Sequence, residues 1–330
     1  MTANILKKVD SYTFHYPAAI KGVEQQIDVR WTADEILVEK DLYDIHNNLT
    51  EAELHGVITT LTAFTKYELK VGADFWLSRM MRVYKRPELQ RMFAEFGNTE
   101  LNTHAPFYAK INELLGLNTD EFYMSYLDHP VLVDRMACID DAVGLKLTDE
   151  LDILKSVGAF SIVEGAILYS NFAFLKHFQG DGKNKLANIV AGIDFSVRDE
   201  NLHSEGGAWV FNTTADELGL NIKQQKEVGK YILDFCKLVY EHECQIIDMI
   251  FEKGVIAGIT DVQLKNFVAS RIDLCLSNLN LPPIYGVSYN PIGKWFYKSL
   301  QSGKLHDFFF TQGNSYRRDW NKKRFIWSTT

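Results

Sequence analysis

The sequence predicts an all-α protein, a bundle of long helices. Apolar residues recur at helical spacing along most of the chain, and few segments alternate with a period of two. The periodic runs reach roughly 20 to 30 residues, well past the globular average of about 11–12. Glutamates also stand inside apolar runs, Glu68 and Glu164 most plainly, as ligands on facing helices of a bundle do.

The elements follow in order. After an irregular opening to about Trp31, Thr50 and Glu53 form a capping-box pattern ahead of a helix running to about Met81. Pro87 stands where a first helical turn tolerates it, and Glu88 to Leu115 forms the next helix. Pro106 lies inside that helix and predicts a kink, with the Asn102 carbonyl losing its usual donor. Further helices are expected near Val131–Val143, Asp149–Phe178, Asn184–Phe211, Ile222–Lys253 and Asp261–Leu279. Pro282-Pro283 and Asn290-Pro291 then mark loops, followed by a docked helix and an aromatic, basic ending. The expected organisation is one helical domain over residues 1–300 and a flexible C-terminal tail over 301–330. Gly206-Gly207 has no preceding strand, which argues against a dinucleotide fold.

A chain of 330 residues with 46% apolar content can bury a large core. Its formal charge of -8 argues against nucleic acid and anionic membranes as partners, since both require a positive face. Cys138, Cys236, Cys244 and Cys275 are widely spaced without a CxxC pair and are expected to be reduced, mostly buried thiols. Met1 to Asp10 lacks an apolar signal segment and no run is long and uncharged enough to span a bilayer, so the protein is expected in the cytoplasm.

The chemistry lies in the spacing of carboxylates and imidazoles. Residues three or four apart share a helix face, so Glu100 with His104 and Glu200 with His203 can each hold one metal ion. Glu164 sits in Phe160–Tyr169, where no other residue is charged, and Glu68 follows Leu61, Phe64 and Tyr67 at core-like spacing. Burying an ionised carboxylate costs several kcal/mol, and Lys66 and Lys70, two residues from Glu68, do not face it. Each pair alone is commonplace on solvated helix faces, and Glu68 alone could serve an interhelical ion pair. Together, four carboxylates and two histidines form the ligand set of a dinuclear metal site in a helix bundle. Glu241-His242-Glu243 is read as a solvated face, because consecutive helical residues diverge and cannot converge on one ion. His55, His129, His177 and His306 are assigned to surface or capping positions. Tyr108, four residues after His104, shares its face and is the oxidisable neighbour of the proposed metals.

These residues resemble the small, radical-bearing subunit of class I ribonucleotide reductase over about Trp31 to Trp295. The likeness is carried by Trp31-Thr32-Ala33-Asp34-Glu35, the His104 to Tyr108 spacing, Glu164-Gly165, Arg198-Asp199-Glu200-Asn201-Leu202-His203, and Leu279-Asn280-Leu281-Pro282 followed by Asn290-Pro291 and Trp295. The resemblance implies a ferritin-like bundle, a homodimer, and partnership with a large catalytic subunit that reduces ribonucleotides to deoxyribonucleotides. It also leaves room for an activating flavoprotein. It assigns Glu68, Glu100 and His104 to one metal and Glu164, Glu200 and His203 to the other, with Glu100 and Glu200 bridging. Tyr108 matches the tyrosine oxidised to a stable radical, and Trp31 and Asp199 match the start of the radical-transfer route. Tyr316 matches the mobile relay tyrosine, and Phe325-Ile326-Trp327 the segment that docks on the large subunit.

Two departures stand out. Glu68 replaces the usual aspartate, which leaves manganese or a mixed pair open beside the di-iron centre the resemblance puts first. The usual carboxylate three residues before the first histidine is here Leu101, so Glu100, four before, is predicted to be the ligand, helped by a π-bulge near Pro106. The alternatives on the same scaffold are a stand-alone dimetal oxidase or oxygenase, which needs an access channel and no conducting tail, and a metal-storage or structural helical protein, which is indifferent to Tyr108→Phe.

Overall fold

The computed structural model describes residues 3–64, 66–180 and 182–297, all helix or irregular chain with no strand among them. The expected tail, with Tyr316 and Phe325-Ile326-Trp327, lies outside the described residues, as does His306.

The opening segment is less irregular than its sequence predicts. Pro17–Asp28 forms helix α1, with proline in its first turn and Ala19, Gly22, Val23 and Gln26 buried. Its apolar face packs on the helix starting at Pro87, where a Cβ on Gly22 would lie 3.2 Å from Met92 Sδ. Helix α2, Glu51–Phe64, starts at the predicted capping box: the Thr50 amide donates to Glu53 Oε2 at 2.9 Å and the Glu53 amide to Thr50 Oγ1 at 3.2 Å.

The next two helices both change register. Helix α3 (67–83) has an α turn Tyr67–Leu69, a π segment Lys70–Met80 and an α turn Met81–Val83. Helix α4 (87–114) has an α segment Pro87–Thr99, a π segment Glu100–His104 and an α segment Ala105–Leu114 whose first turn holds Pro106. The expected distortion at Pro106 therefore takes the form of a wider turn ahead of it. Glycines bring the two helices together: a Cβ on Gly72 would lie 2.9 Å from Glu100 Cβ, and one on Gly97 would lie 3.1 Å from the Gly72 carbonyl oxygen.

Helix α5 spans Pro130–Gly144. The single helix expected over 149–178 is two, α6 (Glu150–Ala166) and α7 (Tyr169–Lys176), broken where Leu168 takes a left-handed φ of 70°. Helices α8 (Ala187–Leu218), α9 (Ile222–Ile250), α10 (Asp261–Asn278) and α11 (291–297) follow, and two short helices, Leu42–Asn47 and Asp120–Met124, lie in the connections. The most extensive pairing is α6 against α8. Ser161 and Ser204 lock it, each hydroxyl donating to the other's carbonyl oxygen at 2.9 and 2.8 Å. Helices α3, α4, α6 and α8 together enclose the glutamates and histidines of interest.

A further expectation from the sequence is corrected at Glu243. Glu243 is not on a solvated face: it is fully buried, 3.2 Å from Arg135 Nη1 on α5, and accepts from Ser170 Oγ at 2.6 Å. The cation that neutralises it comes from a different helix, so adjacency to Glu241 and His242 was uninformative. His177 takes the capping alternative: it is the C-cap residue of α7, buried, with its Nδ1 facing the Phe174 carbonyl, and burial pushes its pKa down to about 4. The four cysteines are free, with Cys236 and Cys275 buried and Cys138 and Cys244 partly so.

Candidate metal centre

Four helices each supply a glutamate to one buried point. Glu68 comes from the α turn that opens α3, Glu100 and His104 from the two ends of the π segment of α4, Glu164 from the all-buried end of α6, and Glu200 and His203 from the middle of α8. In a π turn the backbone hydrogen bonds span five residues, which widens the spiral and brings residues four apart onto one side. Glu100 is thus turned inward with His104, while Leu101 is half-buried against Gly72.

The side chains form two overlapping groups, Glu68–Glu100–His104–Glu200 and Glu100–Glu164–Glu200–His203, each with ligand atoms within 4.8 Å of one another. Glu100 and Glu200 belong to both. His104 Nδ1 lies 2.8 Å from Glu100 Oε2, 3.3 Å from Glu200 Oε1 and 4.0 Å from Glu68 Oε2. His203 Nδ1 lies 2.6 Å from Glu100 Oε1 and 3.8 Å from Glu200 Oε2. Both oxygens of Glu68 and of Glu200, one each of Glu100 and Glu164, and His203 Nδ1 are buried without a hydrogen-bond partner. Native proteins rarely leave so many buried polar atoms unpaired in one place. Such a set fits a pair of divalent cations, whose charge and open coordination would satisfy all of them.

The electrostatics are those of carboxylates that have no such cations beside them. Burial, and then the charges of Glu100 and Glu200, raise Glu68 well above the ordinary carboxylate range. Glu164 is raised by burial and then by Glu200 and Glu100. For Glu100, burial pulls upward but His104 and His203 outweigh it and hold the carboxylate low. His104 is the mirror case: burial pulls it down, and Glu100, Asp199 and Glu200 raise it well above its ordinary value. His104 Nδ1 and Glu100 Oε2, 2.8 Å apart, both face the point that a cation would take.

Outer contacts fix both imidazoles with Nδ1 inward. His104 Nε2 donates to Asp199 Oδ2 at 3.2 Å and His203 Nε2 to Gln26 Oε1 at 3.2 Å. Gln26 Nε2 donates in turn to Asp199 Oδ1 at 2.9 Å, so the two histidines share one buried network. The Trp31 indole donates to Asp199 Oδ2 at 2.7 Å, and its ring centroid is 6.0 Å from that of His104. The Trp76 indole on α3 donates to Glu164 Oε1. Gln26 and Trp76 are missing from the residues the sequence singles out. Gln26 lies on the helix the sequence did not predict, and nothing separates Trp76 from an ordinary core tryptophan until Glu164 is seen beside it.

Tyr108 is buried one helical turn beyond His104, its ring centroid 6.5 Å from the imidazole and 4.4 Å from the Phe64 ring. Its hydroxyl adjoins Ser196 without closing a hydrogen bond. Burial, and then the charge of Glu68, raise its pKa well above that of a free phenol. A cavity of about 330 Å³ reaches both Glu68 and Tyr108 from the surface. Of the residues predicted for the site, the structure brings Glu68, Glu100, His104, Glu164, Glu200, His203, Asp199, Trp31 and Tyr108 into one connected cluster; Tyr316 lies outside the described residues. No helix among the described residues is long and apolar enough to cross a membrane.

Comparison with known proteins agrees with this arrangement. The chain is 23% identical over 320 residues to a probable ribonucleoside-diphosphate reductase small subunit of Invertebrate iridescent virus 3, covering 92% of this chain and 83% of that protein. It is 23% identical over 308 residues to the ribonucleoside-diphosphate reductase subunit beta of Chlamydia pneumoniae, covering 87% of this chain and 84% of that one. Its fold matches the crystal structure of dimanganese(II)-NrdF from Streptococcus sanguinis with a TM-score of 0.74 at 21% identity, over 87% of this chain and 97% of the other. A putative class I ribonucleotide reductase from Bacillus halodurans matches with a TM-score of 0.75 at 20% identity, over 86% and 99%. These neighbours identify the architecture as the ferritin-like helical bundle. The family model described as "Ribonucleotide reductase, small chain" matches residues 8–291, and the chain belongs to that family.

Proposed function

We propose that this chain is the radical-generating subunit of a class I ribonucleotide reductase, with Glu68, Glu100 and His104 holding one metal, Glu164, Glu200 and His203 the other, and Glu100 and Glu200 shared. The observation that carries the assignment is the pair of overlapping donor groups meeting at those two glutamates, all buried. Carboxylate and imidazole donors suit iron and manganese alike. Iron is the first choice; manganese, the metal of the dimanganese(II) neighbour from Streptococcus sanguinis, serves the same donors. Bound there, a redox-active metal pair supplies the one-electron oxidising power.

The residues of the chain do the rest. Tyr108 is the donor of the electron, and burial and the charge of Glu68 keep its phenol protonated until then. Phe64 and Phe107 pack against the ring on two sides, and the cavity beside Glu68 is its open side. Trp31, Asp199 and His104 form a hydrogen-bonded line from the centre toward α1, which supports a route for the oxidising equivalent out of the core. Tyr316 and Phe325-Ile326-Trp327, at the far end of the chain, are proposed to complete that route and to dock on the large subunit. The working assembly is proposed as a cytoplasmic homodimer bound to that subunit.

The test is turnover. The full-length chain, loaded with Fe(II) or Mn(II) and oxidised, is mixed with a class I large subunit and a ribonucleoside diphosphate. Deoxyribonucleotide should form, and should vanish with Tyr108→Phe or with metal removed. Undiminished product from the Tyr108→Phe protein would contradict the proposal.

A further inference from the structure

Arg271 of α10 is buried, and its guanidinium reaches three other helices. Its Nε donates to the Gly165 carbonyl oxygen at 2.9 Å, Nη2 to Asn201 Oδ1 at 3.0 Å and Nη1 to the Tyr297 hydroxyl at 3.1 Å. Gly165 and Asn201 directly follow the proposed ligands Glu164 and Glu200, and Tyr297 lies in α11. We propose that Arg271 is a positioning residue that grips the turns carrying Glu164 and Glu200 and couples their occupation by metal to the seating of α11. The inference rests on the metal pair of the proposed function and adds a means by which the loaded centre is sensed at the last described helix.

The end of α6 explains why a grip is needed. The helix stops at Ala166, so the carbonyls of its last turn have no amide partner within it. Val163 and Gly165, on either side of Glu164, belong to that turn. The Tyr67 hydroxyl donates to the Val163 carbonyl at 2.8 Å, and Arg271 takes the Gly165 carbonyl. Position 165 itself has no room for a side chain, since a Cβ there would collide with Cys275 Sγ and Ser204 Oγ. On α8, Asn201 Oδ1 accepts from the Tyr169 hydroxyl at 2.9 Å as well as from Arg271.

The chemistry of the partners fits a fork. They are a carbonyl, an amide and a phenol, with no carboxylate paired to Arg271 among the described residues. The guanidinium carbon lies 3.8 Å from the centroid of the Tyr169 ring, a stacking that suits arginine better than lysine. One rigid group thus spans α6 and α8, and its three bonds close together only at one spacing of the two helices. Glu200 Oε1 and Oε2 and Glu164 Oε2 are buried without hydrogen-bond partners, and two ionised carboxylates there repel each other. Cations bound between them would hold α6 and α8 at the spacing at which the fork is closed, and its third bond then holds Tyr297.

Hydrogen exchange of the full-length protein, metal-free and Zn(II)-loaded, reads this coupling without turnover. Zn(II) should slow exchange of the α11 amides at least about tenfold. Tyr297→Phe loses only the outer bond: it should still bind two Zn(II), and the protection of α11 by Zn(II) should drop below about twofold. Arg271→Lys keeps the charge and loses the fork. It should lose the same protection and also weaken Zn(II) binding by about 10–100-fold in a chelator competition. A merely structural Arg271 would speed α11 exchange in both variants by the same factor with and without Zn(II), and that result overturns the proposal. So does wild-type α11 exchange that ignores Zn(II). Should Arg271→Lys fail to fold, Tyr297→Phe decides alone, and undiminished Zn(II) protection of α11 in it overturns the coupling. Two Zn(II) bound to the wild type without protection of α11 defeats this inference and leaves the proposed function standing; a wild type that binds no Zn(II) defeats both.

Discussion

Glu100 Oε1 and His203 Nδ1 stand 2.6 Å apart, on α4 and α8, and yet neither has a hydrogen-bond partner. Two lone-pair-bearing atoms held that close and not bonded to each other are aimed at a shared third point. Since Glu100 also borders His104, it links the two donor groups. Glu100→Ala should therefore reduce the metal content, measured by mass spectrometry of the dialysed protein, from two ions per chain to one or none. Leu101→Ala should leave it at two. Loss of metal in Leu101→Ala with retention in Glu100→Ala would show that the register of the π segment had been misassigned.

Asp199 sits where three tethers meet, from His104, Trp31 and Gln26. Changing such an outer partner typically costs roughly 10–100-fold in metal affinity or activity. Asp199→Asn should leave the Tyr108 radical able to form but lower deoxyribonucleotide production with the large subunit by about that factor. Gln26→Leu removes the partner of His203 Nε2 instead and should weaken metal binding by a similar factor, read as the midpoint of a chelator competition. Equal radical yield and equal turnover in Asp199→Asn would separate Asp199 from the transfer route.

The two Glu/His pairs and the isolated glutamates were legible because helical periodicity fixes which residues share a face and because Glu164 lies in a run without other charge. The fold class and most helix positions follow from the same periodicity. What adjacency in sequence could not show was the partner arriving from another helix. Arg135 reaches Glu243 from α5, Gln26 reaches His203 from α1, and Trp76 reaches Glu164 from α3. The break at Ile167–Leu168 was hidden because neither residue is a helix breaker; the extended backbone of Ile167 ends α6, and the left-handed φ of Leu168 redirects the chain. The π segment of α4 was half-visible, through Pro106 and the one-residue shift of Glu100; the longer one in α3 left no comparable sign.

The metal-free protein should lose stability as pH rises. Glu68 and Glu164 titrate above the ordinary 4.5 and His104 above 6.5, so above these values the native state holds more protons than the unfolded one. Stability is then greatest on the acid side and falls as these groups are forced to ionise. Glu100, held low, acts in the opposite sense only below 4.5, whereas buried His177, pushed down to about 4, opposes the fall up to 6.5, so the trend is measured in a His177→Gln background. Thermal melts of the metal-free chain between pH 5 and 8 should show a falling midpoint, and saturating Zn(II) should reverse the trend because binding displaces the same protons. A midpoint that rises with pH without metal would contradict the raised carboxylates.

The contact between α3 and α4 at Gly72 admits no side chain, since a Cβ there would lie 2.9 Å from Glu100 Cβ. Gly72→Ala should destabilise the protein by about 1–3 kcal/mol in urea unfolding, as overpacked cores do. It should also displace Glu100 enough to weaken metal binding. Wild-type stability and metal content together would show that the two helices have slack there.

The central claim is that buried glutamates and histidines hold two metals beside an oxidisable phenol. Electron paramagnetic resonance on full-length protein reconstituted with Fe(II), Mn(II) or both, and then exposed to dioxygen or hydrogen peroxide, tests it most directly. A tyrosyl signal should form in the wild type and be absent from Tyr108→Phe with metal content unchanged. No tyrosyl signal under any metal and oxidant, or one that persists in Tyr108→Phe, would contradict it.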